Sequence, residues 1–378
     1  MNDPLRVKSS FSQAPDEYQA AAEIETTIRQ PDAKLVLFFA SSYYDPEKIN
    51  GAMGTRFGDL LLVGCTTAGE ITPGGFKQRS ITALSLASDK IDVAPALIRE
   101  ITEFSHPAGQ KAVGDACRQL GVRADDLTGE DYFGLTLIDG LRAKEEVIMP
   151  SLSFSAPQIK IVGGSAADDN RLNETHIFAQ GETLTNAALF LLFKSQMPFE
   201  IIKTEHLLPT EKKVVITKAY PESRRVIEIN GKPAKAEYAH LLGVGEADLN
   251  MRLVAQHPFA YYVGDEPFIR SVSGLADDGL RFACAIEEGV VLTLMEPGDM
   301  IEDTGRAIRD TEERLGGRIG CLFIFNCLGR YLEAEAKGIT AQLFAEYSVA
   351  PLIGFNTYGE QYCSLHINHT FTGLALGK

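Results

Sequence analysis

One pattern occurs three times in this chain and constrains its fold more than any other feature. The first copy is "KLVLFFASSYYDPEKI" followed by "LLLVGCTTAGEI". The second is "FGLTLIDGLRAKEEVI" followed by "IKIVGGSAADD". The third is "GCLFIFNCLGRYLEAE" followed by "APLIGFNTYGEQ". Each opens on an apolar run of strand length, turns through polar or small residues, and enters an acidic stretch with helical spacing. Each closes on a second apolar run ending in Gly and small polar residues. An offset of about 25 to 30 residues between strand ends is the size of a βαβ unit. Apolar runs without alternation indicate strands covered on both faces. The three segments are therefore expected to be structural equivalents in an α/β fold with mixed sheets.

Other runs fill the gaps. "RSITALSLAS" and "NAALFLLFK" each follow a unit's second strand. Asn230-Gly231 in "RRVIEINGKPA" is a hairpin signal. "DDGLRFACAIEEGVVLTLME" reads as a hairpin around Glu287, Glu288 and Gly289, and "TPGGF" as a loop. Helices are expected in "DEYQAAAEIETTIRQ", "GQKAVGDACRQLG" and "TGRAIRDTEERLGG". The βαβ spacing stops between about Pro198 and Arg225, where hairpins begin. This divides the chain into residues 1–220, with 1–30 as an amino-terminal extension and helix, and residues 221–378.

Composition narrows the function classes. The 378 residues carry a net charge of −15, and no Lys/Arg run offsets it locally, so nucleic-acid binding is not expected. No apolar run approaches the roughly 18 residues that span a bilayer. The amino terminus shows no apolar stretch of the secretory kind, so a cytoplasmic location is expected and no membrane partner. The six cysteines, at 65, 117, 284, 321, 327 and 363, form no C-x-x-C pair, and reduced thiols follow.

Ligands of α/β sheets commonly sit beyond the carboxyl ends of strands. Gly64-Cys65-Thr66, Gly163-Gly164-Ser165 and Asn356 fall there. They are candidate ligand-binding residues, because glycine admits close backbone approach and hydroxyls or N–H groups hold polar groups. The same glycines could equally serve tight turns. No phosphate-binding glycine motif is present. Asp139, Glu145, Glu146, Asp168 and Asp169 are candidate acid/base or metal carboxylates, and equally plain helix caps. Cys65 lies where a nucleophile could sit, but no nucleophile signature surrounds it, so a small core residue is the simpler reading.

Cys363, His366 and His369 are spaced as C-x-x-H-x-x-H. On one strand, alternation places Cys363 and His369 on one face and His366 on the other, which makes a three-ligand zinc site awkward. A single axial histidine would still serve a haem, and a polar strand histidine without metal is the plain alternative.

"VGCTTAGEI", "LIDGL…EE", "IVGGSAADD", "FNCLGR", "IGFNTYGEQ" and "HINHTFTG", in this order, resemble FIST proteins, two-part sensory proteins with an N and a C domain. The likeness runs roughly from Lys34 to Gly377 and is closest to the nitric-oxide-sensing haem subgroup, NosP. The further matches are the run from "TEHLLPTEKK" to "KAEYAHLLG", "PFIRSV", "CAIEEGVVLTL" and "TYGEQ…HINHTFTGLALG". The resemblance implies FIST N and FIST C domains, haem b as cofactor, nitric oxide as ligand, and no enzymatic activity. It also implies regulation of a partner histidine kinase, diguanylate cyclase or phosphodiesterase of cyclic-di-GMP signalling, with a homodimer as an assembly to test. On that reading His366 is the first candidate axial ligand and His206, in the polar insertion "TEHLLPT", the second. Phe355, Tyr358 and Phe371 would line the cofactor, and His369 would add a second metal ligand beside His366. The other sensory reading is a FIST module for a small polar metabolite such as an amino acid, held by the Gly-rich strand ends. The sequence departs from the family pattern twice: Ala167 stands where Gly-Gly-Ser-Ala-Gly-Asp has its last Gly, and His369 stands where His-x-Asn-Gln-Thr has Gln.

Overall fold

The computed structural model describes residues 5–378. One unit is built three times. The first comprises β1 (Arg6–Ser12), α1 (Glu17–Ile28), β2 (Ala33–Ser41), α2 (Pro46–Phe57), β3 (Leu61–Thr67), β4 (Glu70–Thr72), β5 (Gly75–Lys77) and β6 (Ile81–Ala87). The second repeats that order as β7 (Ile91–Arg99), α3 (His106–Leu120), β8 (Tyr132–Asp139), α4 (Glu145–Ser155), β9 (Lys160–Ala166), β10 (Ile177–Ala179), β11 (Glu182–Leu184) and β12 (Ala187–Ser195). Local chemistry sets the boundaries. Asp16 accepts from Gln19 N at the start of α1, and Asp45 accepts from Glu47 N and Lys48 N ahead of Pro46 in α2. Gly121, at φ 68°, ends α3 in the left-handed conformation.

The third unit begins with β13 (Phe199–Lys203) and is then interrupted. The insertion holds β14 (Leu207–Tyr220), β15 (Arg225–Ile229), β16 (Lys232–Pro233), α5 (Ala234–Leu242), α6 (Met251–Gln256), β17 (Phe259–Val263), β18 (Glu266–Arg270), β19 (Val272–Ala276), β20 (Gly279–Phe282) and β21 (Val291–Pro297). The unit resumes as α7 (Met300–Arg314), β22 (Ile319–Cys327), α8 (Leu328–Lys337), α9 (Thr340–Tyr347), β23 (Leu352–Thr357), β24 (Glu360–Tyr362), β25 (Leu365–Ile367) and β26 (Phe371–Gly377).

In every unit the two apolar runs of the sequence pattern form a parallel pair: β2 with β3, β8 with β9, and β22 with β23. The unit's first and last strands extend the sheet antiparallel, as β1-β6-β2-β3 does. Each sheet is then completed by a hairpin from another unit. Strands β10 and β11 join β3, β24 and β25 join β9, and β4 and β5 join β23. The exchange runs in a closed cycle.

The three sheets turn one face inward onto a shared core that includes Leu37, Phe39, Leu135, Leu189, Phe323, Phe355 and Leu374. Phe39 and Phe355 meet there with ring centroids 4.5 Å apart. Helices cover the outer faces: α1 and α2 on the first sheet, α3 and α4 on the second, and α7 to α9 on the third. The result is a three-sided prism of mixed sheets, and burial on both faces explains why the strands read as continuous apolar runs.

The insertion forms a separate eight-stranded antiparallel sheet with its own core around Val214, Tyr238, Phe259, Leu280 and Leu294. The Asn230-Gly231 turn joins β15 and β16 as expected, with Ile229 opposite Lys232. The hairpin expected around Glu287–Gly289 does not form. Strand β20 pairs with β15 and β19, whereas β21 pairs with β14 and β17, so the turn leads from one half of the sheet to the other. "HINHTFTG" is likewise not one strand, because β25 and β26 are separated by a bend in which His369 has φ 57°. Cys363, at φ 55°, turns the chain before β25. Alternation therefore does not govern Cys363, His366 and His369.

Candidate functional site

The strand ends singled out in the sequence converge at the point where the sheets exchange hairpins. Ala68 N–H donates to Asn356 O at 3.0 Å and Asn356 N–H to Gly69 O at 2.8 Å. Thr66 N–H donates to His176 O at 3.0 Å, and Ala167 N–H to Thr66 O at 3.0 Å. Ser165 N–H donates to Gly359 O at 2.8 Å. Gly64, Gly163 and Gly354 sit opposite Phe38, Thr136 and Ile324 across the parallel pairs. A Cβ at each would lie 1.9, 2.0 and 2.5 Å from the opposing carbonyl oxygen. The close approach that glycine permits here is between neighbouring strands of the protein. Gly164 faces Thr357, Phe325 and Phe355 in the central core. Cys65 is wholly buried, and burial pushes its thiol well above the ordinary range, the opposite of an activated nucleophile.

The carboxylates of this region hold backbone and hydroxyls in place. Glu70 accepts from the hydroxyls of Thr67 and Ser80 and from Ser80 N. Glu360 accepts from Thr357, from the Thr370 hydroxyl and from Thr370 N. Both open the strand after the exchange point, and burial raises both carboxyls to about 8. Asp139 accepts from Thr175 Oγ1 at 2.5 Å and Asn186 N at 2.7 Å. Asp168 accepts from the N–H groups of Leu172, Asn173 and Glu174, and from Tyr358 Oη. Asp169 accepts from Ser41 and Ser42, each at 2.7 Å. Ala167 has no positive φ. The second unit's turn departs from the others by running from Ala167 to His176, with Asp169 and Asn170 left-handed instead.

His366 lies at the junction of prism and insertion and is 2% exposed. Its Nε2 is 3.3 Å from Ala283 O, and its backbone carbonyl accepts from Arg270 Nη1 at 3.2 Å. Beside it, Arg224 Nη2 meets Glu145 at 2.6 Å and Glu146 at 2.8 Å, and Ala285 N–H donates to Glu146 at 2.7 Å. Burial alone would raise the Glu146 carboxyl. The charges of His366 and Arg224 and the Ala285 N–H outweigh it and hold the group at about 2. Burial pushes the His366 imidazole down, opposed by Glu145 and Glu146.

Polar atoms without partners collect around Gly359. A Cβ there would lie 2.1 Å from His366 Cε1 and 3.0 Å from Asn368 Nδ2. Gln361 Nε2 donates to Ser165 Oγ at 2.9 Å and Gly359 O at 3.3 Å, and Ser165 Oγ donates to Glu145 at 2.7 Å. Among the described residues, His366 Nδ1, Gln361 Oε1 and both amide atoms of Asn368 are buried without a hydrogen-bond partner.

His369 is not with His366. Its Nε2 meets Glu333 Oε2 at 2.8 Å, and His206 Nε2 meets the same oxygen at 3.1 Å. The two rings are 5.6 Å apart and nearly parallel. The structure thus separates the pair His366 and His369 and brings His206 and His369 together. The remaining lining candidates scatter. Phe355 is in the central core, Tyr358 is bound to Asp168, and Phe371 packs on Tyr347 at 4.9 Å. Three surface clefts of about 830, 770 and 450 Å³ carry no histidine in their linings. The surroundings of His366, His206 and His369 as they stand do not fit a haem, because each ring is packed and at least one nitrogen faces a protein acceptor.

The sequence reading did not single out Glu333, Arg224, Gln361 or Asn368. Glu333 carried one faint signal, its i,i+4 spacing from Lys337, which reads as an ordinary helix surface pair.

Residues 34–232 match the FIST N domain and residues 234–363 the FIST C domain. The chain belongs to the FIST family. FIST domains are sensory modules of signal transduction, so this protein is a sensory one. The two matched FIST segments meet inside the inserted sheet, which takes β14 to β16 from the first and β17 to β21 from the second. The FIST protein is similar to the uncharacterized protein MJ1623 of Methanocaldococcus jannaschii, with 25% identity over 83% of this chain and 67% of that one. Among solved structures it aligns with cyanuric acid hydrolase from A. caulinodans at 9% identity over 99% of both chains, with a TM-score of 0.40. It also aligns with T. maritima PurL at 8% identity over 99% of this chain and 72% of that one, with a TM-score of 0.21. At these scores neither likeness carries an argument about fold or function. No helix among the described residues is long and apolar enough to cross a membrane.

Proposed function

We propose that this FIST protein senses a small polar metabolite, of the size and polarity of an amino acid, at the junction of prism and insertion. One observation carries the reading: Asn368 is wholly buried with neither amide atom bonded, beside the unpaired His366 Nδ1 and Gln361 Oε1. A buried polar group left unsatisfied costs roughly 1–3 kcal/mol. An occupant with both donors and acceptors removes that penalty at each of these atoms it reaches. A bound water satisfies only some of them.

The position suits a sensor. The unpaired atoms belong to the hairpin of the third unit and its following bend, while Ala283, Arg224 and Arg270 come from the insertion and Glu145 and Glu146 from the second unit. An occupant that interacts differently with a closed and a loosened junction shifts the balance between them. A signalling partner, such as a histidine kinase or an enzyme of cyclic-di-GMP turnover, would read that balance. The atoms are packed in the closed junction and lie outside the three clefts, so the occupant enters the loosened one; the narrower reading, a haem sensor of nitric oxide, requires in addition a histidine to leave its present partner.

A thermal-shift panel of amino acids and related metabolites tests the proposal. An amino acid is expected to raise the melting temperature of wild type and not of Asn368→Ala. A stoichiometric Soret band after haem reconstitution, lost in His366→Ala, would replace this reading with the haem one.

A further inference from the structure

The geometry points to a second site, independent of the metabolite reading: a mononuclear site for a divalent transition ion, Zn²⁺ or Fe²⁺, formed by His206, Glu333 and His369. The three come from distant parts of the chain. His206 lies in the link from β13 into the insertion, Glu333 on α8, and His369 in the bend between β25 and β26. They are 3%, 4% and 1% exposed. One nitrogen or oxygen from each lies within 4.8 Å of the others.

The ligand set is of a recognised kind. Two imidazoles and one carboxylate hold zinc with an open position, or ferrous iron on one face of an octahedron. Both imidazoles aim Nε2 at the same carboxylate oxygen, Oε2. The other oxygen, Oε1, is held by Lys337 Nζ at 2.6 Å, which leaves Oε2 to the histidines. The nearby buried guanidinium of Arg330 does not compete for Glu333. It is bound to Asn326, Tyr347, Thr304 and Met300 O. The backbone supports the same view, since His369 is held left-handed to bring its ring in. Metal–ligand distances of about 2.0–2.2 Å place ligand atoms a few tenths of an ångström further apart than the present 2.8 and 3.1 Å. Small side-chain rotations supply that room, with each imidazole protonated on Nδ1. A bound ion would tie the root of the insertion to the third unit.

The test uses the full chain, free of any histidine tag, stripped with a chelator and titrated with Zn²⁺ and with Co²⁺ as a spectroscopic substitute. One ion per chain is expected. The Co²⁺ spectrum should show nitrogen and oxygen ligation without a thiolate charge-transfer band, a readout that needs no substitution. Glu333→Gln, which keeps the shape of the side chain, and His369→Ala should each weaken binding by more than about 100-fold, beyond the loss seen for outer-shell partners. His240→Ala, at an exposed helix position, should bind as wild type. Failure of the stripped, folded wild type to take up a stoichiometric ion would overturn the proposal. So would thiolate ligation, or uptake that survives both Glu333→Gln and His369→Ala.

Discussion

Arg224→Met removes the charge that joins the insertion to the second unit, and its effect can be worked out from the junction. The guanidinium is 12% exposed, sits 2.6 Å from Glu145 and 2.8 Å from Glu146, and donates to Ala283 O at 2.9 Å. Breaking a buried pair from one side costs about 3–5 kcal/mol, because the remaining charge stays buried. Glu146 gives the pooled figure that His366, Arg224 and the Ala285 N–H supply between them. Its carboxyl is lowered from 4.5 to about 2 although burial opposes this. At about 1.4 kcal/mol per unit, that is roughly 3 kcal/mol. A group with a lowered folded pKa contributes its stability above the unfolded value and loses it as the pH falls through the folded one. That contribution is therefore about 3 kcal/mol at pH 7, about 2 at pH 3.5, and gone below pH 2. Urea unfolding of wild type and Arg224→Met at pH 7 and pH 3.5 measures the share of it that Arg224 supplies. Adding Glu145→Gln and Glu146→Gln to Arg224→Met should recover much of the loss. A loss under 1 kcal/mol at pH 7, or one that does not shrink at pH 3.5, would refute the reasoning.

The buried acids at the exchange points predict the opposite pH trend. Glu70 and Glu360 have raised carboxyls near 8, so wild type loses their contribution as the pH climbs from about 4.5 to 8, and Glu70→Gln should flatten that slope in urea midpoints. Gly359→Val should destabilise the fold by about 1–3 kcal/mol and abolish metabolite-induced stabilisation, because a Cβ there meets the His366 ring at 2.1 Å. Calorimetric unfolding and the thermal-shift panel check the two halves of that outcome.

The repeated units were legible in the sequence because strands covered on both faces must be apolar throughout, and their ends carry the glycines that neighbouring strands require. Gly64, Gly163 and Gly354 are the clearest case: the residues were visible, but their use in strand contact needed the register. The hairpin exchange was not legible. Strands of three residues such as β4 and β10 hold no information about which sheet edge they will reach. The histidines misled for a local reason. A period of two applies only within a strand, and Cys363 and His369 both leave the extended region. Glu333 and Lys337 look like a surface pair until the fold lays His206 and His369 over the same carboxylate.

The closed exchange of hairpins has a consequence for how the chain can be made and cut. The third sheet's edge is supplied by residues 70–77, the first sheet's by 177–184, and the second sheet's by 360–367. During synthesis the second sheet must wait with an open edge until residues 360–367 have left the ribosome, which leaves an unpaired strand exposed to other chains in the meantime. A fragment ending before residue 360 would therefore harm the second unit, some 200 residues upstream, as directly as the third.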